Sequence, residues 1–163
     1  IDVFTRCIVS YEISYQPFSS STLLRALKQA YNQENGLPGG KIEMLRFDNG
    51  SDYISGAAKN LISFTGGSLA MAPPNEPNFK PHVETMFRTL NYQIIHQLPG
   101  TTFSTPQERE GYDSEKMAFL SIESLRSHIG RYIETYHLTI HDGMQRAPLS
   151  MWNEVVPKNW TDG

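Results

Sequence analysis

Two acidic residues stand where acids can do chemistry. Asp48 follows the apolar run "KIEMLRF" and opens the triplet "DNG". Glu84 lies in "FKPHVETMFRTLN", just beyond a proline-rich loop. Thirty-five residues separate them, enough for one helix, one strand and one loop. A crossover of that kind can bring the start of a helix back beside the end of an earlier strand. Two carboxylates facing one another there are hard oxygen donors, suited to Mg²⁺ or Mn²⁺. Paired ions about 3.5–4 Å apart clamp the entering and leaving oxygens of an in-line phosphoryl transfer. Such a site needs a third carboxylate to bridge the ions.

Plainer readings stand beside these. Asp-Asn-Gly after a strand forms hairpin turns. A glutamate in the first turn of a helix complements the helix dipole. A Ca²⁺ loop starting at Asp48 is excluded, because its sixth position is Tyr53 where glycine is required and its twelfth is Lys59 where glutamate is. Lys80 and Arg88 flank Glu84 and are candidate phosphate contacts, or else part of a solvated helix face. His137 and His141 have the i, i+4 spacing of a zinc pair, but only Asp142 stands near to complete it. A helix-end histidine with a loop contact is the simpler expectation.

Positioning these residues requires a particular order of elements. Residues 1–5 and 7–15 are rich in Ile, Val, Phe and Tyr and predict two strands, joined tightly near Arg6 as an antiparallel hairpin. "PFSSS" predicts a proline stop and serine caps, and Leu23, Leu24, Leu27 and Tyr31 predict a helix over 20–33. A strand over 41–47, a helix over 55–64 ending in glycines and a strand over 68–72 follow. A long helix over 81–97 starts at Pro81, with Val83, Met86, Phe87, Leu90, Ile94 and Ile95 on its inner side. Residues 98–113 read as an extended connection. A helix over 121–137 carries the stripe Ile122, Leu125, Ile129, Tyr132, Ile133 and Tyr136, and a short helix led by Pro148 is anchored by Trp152. The fold class is α/β with a mixed sheet flanked by helices, and its ligands belong at the carboxyl ends of strands.

Bulk properties bound the function. The 163 residues suit one domain, and 39% hydrophobic with 19% charged residues is a globular composition. Cys7 is the only cysteine, which excludes an intrachain disulfide and fits a reducing compartment. No apolar run approaches the roughly 20 residues of a bilayer span. The net charge of −3 argues against a free-standing nucleic-acid binder without a local basic patch. The chain opens in mid-strand, so a fragment is expected.

Several segments together resemble one family. "IDVFTRCIVSYEIS" resembles the "IDxxSRxIVGxxxS" hairpin of bacterial DDE transposases. "RFDNGSDYIS" is similar to their "DNGxEFxS", and "APPNEPNFKPHVETMFRTLN" to their "PPxxPxxKGxVERFFxTLN". "LPGTTFS", "GYDSEKMA" and "YHLTIHDGMQRAPLSMW" look like the tail of Mu-type transposases, kin of retroviral integrases. The resemblance runs through the chain in order. It implies a ribonuclease-H-like fold, with residues 1–113 as catalytic core lacking the first strand and 114–163 as the helical end of the same domain. It implies two Mg²⁺ ions (or Mn²⁺) held by a D, D, E triad in which Asp48 is the second Asp and Glu84 the Glu. The first Asp would precede residue 1, and Asp2 is read as structural, pairing with Arg6. The implied activity is DNA cleavage and strand transfer by a polynucleotidyl transferase, with transposon ends and target DNA as partners. A homo-oligomer on DNA, no membrane and a cytoplasmic, nucleoid-associated location in a bacterium are implied too. The alternatives are a ribonuclease-H-like nuclease, or an inactive DNA-binding or assembly module. Pro81 and Thr85 depart from the family's Gly and Arg.

Overall fold

A computed structural model describes residues 1–47, 56–71, 81–97 and 121–156. The described residues fall into two compact units, Ile1–Lys80 with Tyr136–Gly163, and Pro81–Thr135.

In the first unit, helix α1 spans Ser20–Asn32. Ser19 holds the cap position, but its hydroxyl bonds to Ser21 (2.9 Å) and Thr22 (3.2 Å) and not to a backbone amide. The helix ends where Gln33 turns left-handed (φ 52°). Strand β1 is Met44–Phe47, helix α2 Gly56–Phe64 and strand β2 Ser68–Met71.

The sequence "FTGG" stops α2 for a definable reason. Gly66 takes φ +77°, its amide reaches the Ser63 carbonyl at 3.0 Å, and the Gly67 amide reaches Ile62 at 2.8 Å. This is the paired bonding of a Schellman C-cap, where a side chain at the left-handed residue would be strained. Gly67 is needed for space, since a Cβ there would lie 2.4 Å from the Ile42 carbonyl oxygen. That close approach lets the Ser68 amide bond to the Glu43 carbonyl (2.8 Å), beside the start of the ladder.

β1 and β2 then pair in parallel, Met44 opposite Ser68 and Phe47 opposite Met71. Leu45 and Leu69 share one face and pack on the core of Leu27, Ala58 and Ile62, together with Leu23, Leu24, Tyr31, Ile42 and Leu61. The two helices are also pinned by the Tyr31 and Thr65 hydroxyls at 2.6 Å. A parallel pair with helical cover on one face is the core of a βαβ unit.

The expected hairpin over residues 1–15 does not form. Residues 3–5 make a turn, closed by the Asp2 amide on the Cys7 carbonyl (2.7 Å), with Arg6 left-handed at φ 63°. No strand ladder continues from it among the described residues. The reason lies in the long helix α4 (Ile122–Leu138). The Ile8 amide donates to His137 Nε2 (2.9 Å), and Tyr136 Oη donates to the Arg6 carbonyl (3.1 Å). Side chains at the end of α4 thus take backbone groups that a facing strand would have used. Glu12 further ties this segment to α1, accepting from Arg25 Nε at 2.8 Å and Gln29 Nε2 at 3.0 Å.

Helix α5 spans Pro148–Val155, with the proline in its first turn and buried. Arg146 pairs with Glu154 across its start.

In the second unit, helix α3 spans Pro81–Gln93, and a single 3₁₀ turn follows at Ile95–Gln97. Val83, Met86, Leu90, Ile94 and Ile95 are half-buried as the periodicity predicts. Phe87 is not on the inner side: it is 53% exposed. On α4, Ile129 and Ile133 are buried, and Ile122, Leu125 and Tyr132 half-buried. No described helix is long and apolar enough to cross a membrane.

Candidate functional site

Asp48 and Lys80 lie outside the described residues. What is described is the strand that leads to Asp48. β1 ends at Phe47, so Asp48 is the next residue after the carboxyl end of a parallel strand. The next described strand, β2, runs parallel to β1, and α2 lies between them in the chain.

Glu84 falls in the first turn of α3, as expected, and is exposed. Its carboxylate makes no hydrogen bond or ion pair with any described residue. Arg88, one turn further along, is exposed and likewise unengaged among the described residues. Tyr92 and His96 continue the same four-residue spacing, with their rings edge to face at 5.1 Å. Sequence reading passed over Tyr92. The recurrence of Arg88, Tyr92 and His96 was the signal that could have found it.

Asp2 is structural. Its Oδ1 accepts from the Thr5 amide and the Thr5 hydroxyl, both at 2.6 Å, and so builds the turn. The partner of that side chain is Thr5 and not Arg6. Arg6 Nη1 is buried with no hydrogen-bond partner among the described residues, and burial lowers the affinity of its guanidinium for the proton.

His137 and His141 are each occupied by the backbone. His137 is 4% exposed and accepts from Ile8 through Nε2, which requires its proton to be on Nδ1. Burial, with His141 nearby, brings its pKa down to about 4. His141 Nε2 donates to the Tyr136 carbonyl at 2.9 Å. The pair is the helix-end anchor expected, turned to holding residues 6–8. No cluster of three metal-ligating side chains occurs among the described residues. Cys7 is buried, and burial pushes its thiol up to about 11.

β1, α2 and β2 form a parallel βαβ unit, and α3 carries an acid in its first turn. A family model described as the TnsB C-terminal domain matches residues 1–100. That is more than half of the chain, and the chain belongs to this family. It is therefore transposase-related. No curated protein matches it.

Proposed function

We propose that this chain is a transposase domain that engages DNA. The observation that carries this reading is its membership of the TnsB C-terminal domain family over residues 1–100. The family is named for a C-terminal domain and not for a catalytic core, which favours DNA binding and assembly as the primary role. With a net charge of −3, attraction to DNA must come from local cations such as Arg88. The test is fluorescence anisotropy of a labelled duplex against salt. Binding that weakens linearly with log salt supports the reading, and no binding at 50 mM salt overturns it.

A second reading is DDE-type phosphoryl transfer on a ribonuclease-H-like sheet. It is favoured by the parallel pairing of β1 and β2, which makes Asp48 a residue beyond a strand's carboxyl end, and by Glu84, exposed in the first turn of α3 and unengaged among the described residues. Carboxylates are a donor set that fits Mg²⁺ or Mn²⁺, and Asp48 and Glu84 would hold such ions together with a third acid. Bound metal would activate the attacking oxygen and stabilise the leaving one. Asp2 does not fit as the third acid, since its Oδ1 serves Thr5. In a longer protein containing this chain, Asp48→Asn is expected to abolish both cleavage and joining of transposon-end oligonucleotides. Joining of pre-cleaved ends by that variant would refute the role. Hydrolysis without joined products in the unaltered protein would make it a nuclease.

A further inference from the structure

Helix α3 and the turn after it carry Glu84, Arg88, Tyr92 and His96 at every fourth position. Residues four apart on a helix share a face, so these four form one stripe. Arg88 and Glu84 are exposed, and Tyr92 is 56% exposed despite its size. The His96 ring stands at 66° to the Tyr92 ring, 5.1 Å away. That contact restrains the tyrosine while leaving much of it open, so a ligand would meet a ring already ordered. Beside the stripe lie the polar, exposed Asn91 and Gln93 and the ring of Phe87, which is 53% exposed. The half-buried aliphatic residues of α3 lie at other positions. An exposed aromatic ring beside a cation matches a ligand with a flat ring and an adjacent negative charge.

We infer that this stripe binds an unpaired nucleotide of DNA, its base stacked on Tyr92 and its phosphate on Arg88. The two residues lie about 6 Å apart along the helix axis, at about 1.5 Å per residue. An aromatic face beside a cation is the general solution for single-stranded nucleic acid, because every base offers a π-face. The inference rests on the DNA-engaging reading above and specifies the kind of DNA: an end or junction with unpaired bases, in preference to a fully paired duplex.

The test compares two labelled oligonucleotides by anisotropy with the full chain: a blunt duplex, and the same duplex with a short unpaired 3′ extension. The unaltered chain is expected to prefer the extended DNA. Tyr92→Ala should weaken binding to the extended DNA by about tenfold or more, from the usual strength of base stacking. It should leave the blunt duplex within about twofold, and Tyr92→Trp should restore the preference. Arg88→Ala should weaken both and reduce the salt slope by about one contact. Equal loss on both DNAs in Tyr92→Ala, or no loss on either, overturns the inference while leaving DNA engagement intact. A dimer seen by sedimentation without DNA and abolished by Tyr92→Ala assigns the stripe to self-association and also overturns it. Absence of binding to either DNA removes this inference and the reading beneath it together.

Discussion

Lowering the pH should loosen the anchor between α4 and the first turn of the chain, and His137 sets the size of the effect. Its imidazole is buried and must stay neutral, because Nε2 accepts the Ile8 amide at 2.9 Å. In the unfolded chain the ring titrates near its ordinary value of 6.5, and in the folded chain near about 4. The folded pKa is the lower, so the unfolded state binds the proton more readily. The contribution to stability is whole above pH 6.5, is lost as pH falls from there towards 4, and changes no further below that. At about 1.4 kcal/mol per pH unit this amounts to about 3 kcal/mol in all, and about 2 kcal/mol between pH 7 and pH 5. Carboxylates titrate in the same interval, so the measurement is a difference. Urea midpoints are compared at pH 7 and pH 5 for the unaltered chain and for His137→Gln, which cannot titrate. The unaltered chain should lose about 1 M more in midpoint than the variant, for an m-value of about 2 kcal/mol/M. Equal losses in both proteins would refute the assignment of a neutral, hydrogen-bonded imidazole.

Three further outcomes follow from the packing. Ile62→Ala, at a fully buried site between Leu27 and Ala58, should cost about 2–5 kcal/mol by urea unfolding. Gly67→Ala should cost about 1–3 kcal/mol, because the new methyl would meet the Ile42 carbonyl at 2.4 Å, measured the same way. Cys7 should not react with a thiol reagent at pH 8 in the folded chain and should react fully on unfolding, since it is buried and its pKa is raised to about 11.

The helices were legible because their signals are local. Pro148 opens α5 and the glycines after Phe64 close α2, each through a backbone preference that needs no distant partner. Glu84 in the first turn of α3 was legible for the same reason. The strands at 1–15 were misread because alternation of apolar residues says that a segment is extended, not what receives its amides. Here His137, 129 positions away, takes the Ile8 amide. Phe87 was placed inward by periodicity, yet the buried arc of α3 is narrower than the six-residue stripe suggests, and the ring is left outside.

By itself, then, the sequence determined the described helices from Ser20 onward, the proline start of α5 and the glycine stop of α2, because these signals act within a few residues. The tertiary structure alone decided that β1 and β2 run parallel and that Asp2, His137 and His141 are held by backbone partners. The ladder and the His137–Ile8 bond join segments far apart in the chain, where spacing along the sequence carries no information about who meets whom, while Asp2 with Thr5 and His141 with Tyr136 are local contacts that residue type alone does not specify.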